Sequence, residues 1–416
     1  MLVDVMVSKG DLGEATMATR RTMLRSGAAA AVALTAGTAT AAPAAAAPPA
    51  AKPPNAAALQ AALDAMAAGG ASGVLAEVRD RHWVWRGSAG VAELGTSRPV
   101  PPHGRFRVGS VTKSFVATVV LQLVGERRLA LTDTVERWLP GVVPGGDRIT
   151  LHHLLQHTSG VFNYTDRLDE LYPTVADLVR ARYRKWTPQE LLVLAAGQPP
   201  LFEPGTSWSY SNTNYVLLGL VVQRATGRRY AAEVERRILR PLRMRDTELP
   251  GTSPFLTGPH SHGYLPLERD GGYVPVDITV FNPSIAWAAG EMVSTAADLN
   301  RFYGALNGGR LLGPALLSQM RTSYPEADYG LGLQSLVLPC GGTLWGHTGG
   351  IFGYVTVAMS TSDGGRQLAL SVNPWGDGDL DGPLVDLVLA AFCDPGAASA
   401  RSAAPMRIAM PSGSWA

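Results

Sequence analysis

The chain has 416 residues, 46% of them hydrophobic, and sets 36 basic side chains against 34 acidic ones for a net charge of +2. That much apolar material builds a large core and excludes a chain that stays disordered throughout. The near balance of charge excludes the concentrated basic face that holds nucleic acid through its phosphates, so no nucleic-acid partner is expected.

In chain order, residues 1–54 read as an export signal and its leader. Thr19-Arg20-Arg21-Thr22-Met23-Leu24-Arg25 precedes the weakly apolar stretch Ala28 to Ala42, and Ala39-Thr40-Ala41 supplies the small residues of a cleavage site. The paired arginines point to twin-arginine export, with an ordinary signal as the alternative. Either way a secreted protein is expected, with Met17 as its start. The Ala- and Pro-rich leader runs to Pro54. No later run is apolar and charge-free for long enough to span a bilayer, so no stable membrane anchor is expected.

Residues 57–68 read as a helix, followed by strands Gly73 to Arg79 and His82 to Ala89 about a turn at Asp80-Arg81. Helical patterns then occupy 113–127, 150–157, 175–183, 187–196, 212–226, 230–239 and 295–307, punctuated by Gly and Pro. Near the other end, "YVTVAMS" and "RQLALSVN" flank Thr361-Ser362-Asp363-Gly364-Gly365, a hairpin signal, and Pro383 to Cys393 closes with a helix. The expected fold is α+β: an antiparallel sheet built from both chain ends, flanking helices, and a mostly helical lobe at about 125–300. Residues 55–395 would form this catalytic domain, and the Ala/Ser/Pro-rich stretch 396–416 a disordered tail. Cys340 and Cys393 are the chain's two cysteines. In an exported protein such a pair is expected to form one disulfide, two unrelated buried thiols being the alternative.

Chemistry enters with Lys113. Of the basic residues only Lys9, Lys52, Lys113 and Lys185 are lysines, and Lys113 opens the apolar run "FVATVVLQLV", where a charge is expensive. An ammonium can lose its proton when desolvated; a guanidinium effectively cannot. Ser110 lies three residues earlier, so on a helix the two side chains meet, and a neutral lysine can take the proton that keeps a serine hydroxyl a poor nucleophile. An isolated Ser-x-x-Lys is more often an N-cap serine followed by a solvated lysine.

A second element is Tyr210-Ser211-Asn212, ahead of another apolar helix. A phenol whose pKa is lowered by nearby cations can shuttle a proton, and an amide can hold both the lysine and a substrate carbonyl. The third is His347-Thr348-Gly349-Gly350, expected on an edge strand that lies along a substrate, supplies an oxyanion-hole N–H and lets the substrate backbone approach its glycines. His152, His153 and His157 in "LHHLLQHTSG" raise a metal reading, but no carboxylate sits at ligand spacing, and no metal is expected.

Ser-x-x-Lys, Tyr-x-Asn and His-Thr-Gly, in that order, resemble the penicillin-binding serine hydrolases, the family of class C β-lactamases and D-Ala-D-Ala carboxypeptidases. The resemblance runs from about Leu59 to Asp394. It is closest to the secreted actinomycete carboxypeptidases in "FRVGSVTKSF", "YGLGL", "GHTG" and the pair Cys340/Cys393. It implies Ser110 as the acylated nucleophile, Lys113 and Tyr210 as the proton-handling pair, Asn212 as anchor of substrate and lysine, and His347 and Thr348 on the substrate-facing strand. The backbone N–H groups of Ser110 and Gly350 would form the oxyanion hole, and neither metal nor cofactor would take part.

Three positions depart from that pattern: Gln334 where the carboxypeptidase has arginine, Gly350 for threonine and Trp375 for serine. All three lose a group that would help hold the substrate's terminal carboxylate. The leading expectation is a monomeric serine-type D-Ala-D-Ala carboxypeptidase that acts on a small peptide such as a peptidoglycan stem peptide and binds penicillin. An esterase, a D-aminopeptidase or a β-lactamase would share the machinery, and a non-catalytic cell-wall or β-lactam binding protein is the reading of another class.

Overall fold

The computed structural model describes Pro53, residues 55–375, Gly378 and residues 380–393, all within the larger of the chain's two contact units, Ala50–Ala416; the other is Met1–Pro49. Apart from Pro53, the expected export signal and leader, and the tail at 396–416, lie outside the described residues.

Helix α1 (Ala56–Ala68) leads into strands β1 (Ala71–Arg79) and β2 (Val84–Gly90). Two-residue β3 (Phe106–Arg107) is followed by a 3-10 turn, Gly109–Val111, that continues as α2 (Thr112–Gly125). The central helices are α3 (Leu151–Gln156), α4 (Val175–Ala181), α5 (Pro188–Ala195), α6 (Asn212–Thr226) and α7 (Tyr230–Val234). A hairpin of β4 (Tyr264–Arg269) and β5 (Gly272–Asp277) precedes β6 (Val293–Ser294), α8 (Ala296–Asn307) and α9 (Pro314–Met320). The chain then builds β7 (Gln334–Val337), β8 (Thr343–Ile351), β9 (Tyr354–Thr361), β10 (Gln367–Pro374) and α10 (Asp381–Phe392).

The main sheet runs β2-β1-β10-β9-β8-β7, antiparallel throughout, so the two chain ends meet where β1 pairs with β10. Alternation sorts its side chains. Val74, Ala76 and Val78 face one apolar layer with Leu59, Leu63, Leu384 and Leu387 of α1 and α10, while Leu75 faces the larger core with Phe115 of α2 and Phe302 of α8. A strand covered on both faces loses the polar half of its pattern, which is why β1 is buried almost end to end. Cys340, after β7, is bonded to Cys393 at the end of α10, Cα to Cα 5.9 Å.

Several boundaries differ from the sequence reading for local reasons. Strand β2 starts at Val84 because the turn is longer: Asp80 N–H reaches Trp83 O at 2.9 Å, and the Asp80 carboxylate takes His82 N–H at 3.2 Å. The 230–239 helix is α-helical only to Val234 and widens to a π turn over Glu235–Leu239. Hairpin β4–β5 was not expected from the sequence: Pro266 and Pro275, which pair with each other, argue against strands, although Asp270-Gly271 marks the turn. Strand β8 is not the edge: β7 lies outside it. That cover ends where Gln334 pairs with Gly346, so His347 to Ile351 are paired on the β9 side and lack a strand on the other.

Candidate active site

Ser110 sits in the 3-10 turn and Lys113 in the first turn of α2, and their spacing brings Lys113 Nζ 2.9 Å from Ser110 Oγ. Lys113 is fully buried, and burial holds its pKa well below the ordinary lysine value. The hydrogen bonds fit the free amine as well as an ammonium that donates to all three oxygens. Nζ lies 2.7 Å from Asn212 Oδ1 and 2.8 Å from the Ala289 carbonyl, both of which can only accept. A neutral amine spends its two N–H groups on those oxygens and turns its lone pair to Ser110, whose hydroxyl then donates to Nζ. This is the geometry of a general base already loaded with its nucleophile.

The orientation of Asn212 follows from its own partners. Its backbone N–H donates to Asn163 Oδ1 at 2.9 Å, and its Nδ2 faces Asn163 Oδ1 at 3.3 Å and Thr165 Oγ1 at 3.2 Å, so Oδ1 is the atom left for the lysine. Asn163 and Thr165 belong to a loop that the sequence reading did not single out. The Ala289 carbonyl was equally invisible, because every residue carries one.

Tyr210 hydrogen-bonds to Ser110, and Lys113 Nζ stands 4.9 Å from its ring centroid. The sequence reading has cations lowering this phenol's pKa. The structure reverses the sign: burial of the phenol raises it, because desolvation disfavours the phenolate. Tyr210 is therefore a neutral phenol that donates to Ser110 Oγ, an acid in the resting site.

The strand side is built from β8. Thr348 N–H points away from β9 and donates to Gln334 Oε1 at 2.8 Å. Backbone groups two residues apart on a strand point the same way, so Gly350 N–H also faces the open side. Gly349 is bare for a reason other than substrate access. A Cβ there would fall inside the Val108 carbonyl oxygen and 3.0 Å from Ser110 N, while one on Gly109 (φ +51°) would lie 2.9 Å from Gly350 N. The two glycines let the 3-10 turn dock on the strand, which brings Ser110 N and Gly350 N to one junction, the place the expected oxyanion hole would occupy.

His347 is buried, with Nδ1 against the Thr348 carbonyl and Nε2 2.9 Å from the Tyr329 hydroxyl. Since a carbonyl only accepts, the proton sits on Nδ1 and Tyr329 donates to Nε2. Burial pushes the pKa down to about 3, so His347 is neutral in use. Tyr329, from the "YGLGL" stretch, was quoted in the sequence reading but given no role. Trp375 follows β10, two strands from β8, its N–H bonded to Gly70 O at 3.0 Å. The three histidines of "LHHLLQHTSG" diverge: His152 and His153 have ring centroids 6.3 Å apart, while His157 is buried against Tyr210 with its Nδ1 facing Ser211 and Asn214. Among the described residues no group of three His, Cys, Asp or Glu is placed to hold a metal ion.

Comparison with known proteins agrees with this site. Penicillin-binding protein 4* of Bacillus subtilis (strain 168) is 29% identical over 297 residues, covering 66% of this chain and 62% of that protein. Esterase EstB of Burkholderia gladioli is 37% identical over 202 residues, 46% of this chain and 51% of that one. The chain thus matches between half and two thirds of the length of these curated relatives. Two solved structures are covered almost entirely. A D-stereospecific amidohydrolase from Streptomyces sp. is 43% identical with a TM-score of 0.74, over 82% of this chain and 99% of that one. A D-amino acid amidase from Ochrobactrum anthropi SV3 is 28% identical with a TM-score of 0.70, over 81% and 98%. The family described as Beta-lactamase matches residues 21–390, and with Ser110, Lys113 and Tyr210 gathered in one site the chain belongs to this family of serine hydrolases.

Proposed function

We propose that this enzyme is a serine amidohydrolase that cleaves short D-amino-acid amides and peptides bearing a free amino group. The observation that carries this reading is the electrical neutrality of the strand wall: His347 is held neutral, and Gln334, where a carboxylate-binding arginine is expected, spends its Oε1 on Thr348 N–H. Among the described residues no arginine side chain hydrogen-bonds Ser110, Tyr210, Asn212, Gln334 or His347. A free substrate carboxylate would lack the charge-assisted, bidentate partner that such recognition uses. On the helical side Asp166 hydrogen-bonds Asn163 at 2.7 Å, and Asn163 in turn bonds Asn212, so the rim offers a carboxylate to a substrate ammonium. The likeness to a D-stereospecific amidohydrolase supports the same choice.

In this reading Ser110 gives its proton to Lys113 as Oγ attacks the amide carbon, and the carbonyl oxygen takes its charge between the N–H groups of Ser110 and Gly350. Tyr210 protonates the leaving nitrogen and is reprotonated from Lys113. Water then attacks the ester under the same base and frees the acid. The arginine pair at Arg20-Arg21 supports export of this activity from the cytoplasm.

The test is a panel of D-alanine amide, D-phenylalanine amide, their L forms, a diacyl-D-Ala-D-Ala peptide, a nitrophenyl ester and a fluorescent penicillin, each with Ser110→Ala as control. D-amide hydrolysis that outpaces the L forms and the diacyl peptide is expected. Faster release of D-Ala from the diacyl peptide would return the assignment to a carboxypeptidase, and ester turnover alone would make the enzyme an esterase.

A further inference from the structure

The imidazole of His157 is buried beside Tyr210 and has no part in the chemistry above. It sits one residue past α3, in the left-handed conformation (φ 63°, ψ 31°) that ends the helix. Its backbone carbonyl accepts Ser209 N–H at 3.0 Å, and its Nδ1 accepts Ser211 N–H at 3.1 Å. One histidine therefore holds the chain on both sides of Tyr210.

A third contact fixes the direction of these bonds. Asn214 Nδ2 is 3.2 Å from His157 Nδ1, and Asn214 Oδ1 takes the Ser159 hydroxyl at 2.7 Å. The amide thus presents its N–H to the ring, and Nδ1 faces two donors and must carry no proton. The ring proton lies on Nε2, a buried atom with no hydrogen-bond partner among the described residues. The ring centroid is 4.2 Å from that of Tyr210, with Tyr215 and Tyr329 at 5.4 and 4.9 Å. Protonating Nδ1 would set three donors against one another, and burial opposes it.

We propose that His157 is a positioning residue for Tyr210: through Nδ1 and its backbone carbonyl it clamps residues 209–214 so that the phenol meets Ser110 Oγ. The inference rests on Ser110 acylation and not on which substrate is acylated. It predicts that the acceptor at Nδ1 matters more than the volume of the ring.

Two substitutions separate these. His157→Asn places Oδ1 near the Nδ1 position and tolerates a left-handed backbone, but gives up the ring packing. His157→Phe keeps the ring and loses the acceptor. With a nitrophenyl ester, and fluorescent penicillin acylation as a second readout, His157→Asn is expected to keep kcat within about threefold despite a lower Tm. His157→Phe is expected to lose about 100-fold in kcat with KM little changed, the cost of a misplaced catalytic group. The opposite ranking would overturn the proposal, as would losses that simply follow Tm. Should the phenylalanine variant not fold, nitrogen-15 NMR of the wild-type ring decides: an Nε2–H tautomer that does not titrate from pH 5 to 9 is expected, and a proton on Nδ1 overturns it.

Discussion

The two walls of the cleft do different physical work. The helical wall, from the start of α2 and the start of α6, holds the groups that move protons: Ser110, Lys113 and, just ahead of Asn212, Tyr210. The strand wall, from β8 and β7, moves none. His347 is locked in one neutral tautomer and Gln334 caps a backbone N–H, so this wall contributes fixed dipoles and shape. Each wall has a buried base, Lys113 on one and His347 on the other, yet burial has opposite value on each. On the helical wall it creates reactivity, by making an amine neutral at a pH where water would keep it charged. On the strand wall it suppresses titration, and with it any fixed positive charge for a substrate.

Removing the nucleophile tests the contrast most severely. Ser110→Ala should cost about 10⁴-fold or more in kcat/KM while leaving Tm nearly unchanged, since neither wall can replace an attacking oxygen. Substantial residual hydrolysis would mean that another residue is acylated. Lys113→Arg comes next, with a loss of about 10³-fold in the rate of acylation, because a guanidinium cannot accept the serine's proton. The wild-type pH profile carries the same information. Lys113 works as the free base and its pKa is lowered, so kcat/KM should fall as pH drops and protonates it, and hold as pH rises through neutrality. A limb assigned to His347 between pH 5 and 8 would contradict its pKa of about 3.

Gly349→Ala strikes where the walls touch. Its new Cβ would collide with the Val108 carbonyl and press on Ser110 N, pushing the two oxyanion donors apart. A fall of about 100-fold in kcat with an intact fold by circular dichroism is expected, and unchanged kinetics would remove the oxyanion hole from this junction. The mildest test adds a charge to the neutral wall. Gln334→Arg should raise activity toward substrates ending in a free carboxylate about tenfold relative to amides, the worth of one charge-assisted hydrogen bond. No shift in preference would show that this position does not set specificity.

Much of the helical wall could be read from the chain, because its parts are local. Ser110 and Lys113 are three residues apart, and Tyr210-x-Asn212 stands at the mouth of a helix whose span, 212–226, matched the sequence pattern. The terminal hairpins and helices were equally legible, since alternation and helical period are properties of short stretches. The strand wall was read less well. His347 to Gly350 could be recognised, but not that β7 shields half of β8, nor that Gly349 is bare to admit the protein's own turn. His157 was met as a candidate metal ligand, and no spacing along the chain reveals that it braces Tyr210 from 53 residues away.

The sequence by itself determined the family, the antiparallel sheet made from both chain ends, and the candidate residues for acylation chemistry. Tertiary structure alone decided which way their pKa values move: down for the Lys113 amine and the His347 imidazole, up for the Tyr210 phenol. The reason is that a pKa is set by desolvation and by partners brought from distant positions, such as the Ala289 carbonyl that faces Lys113, and neither burial nor a backbone carbonyl leaves a mark on the sequence.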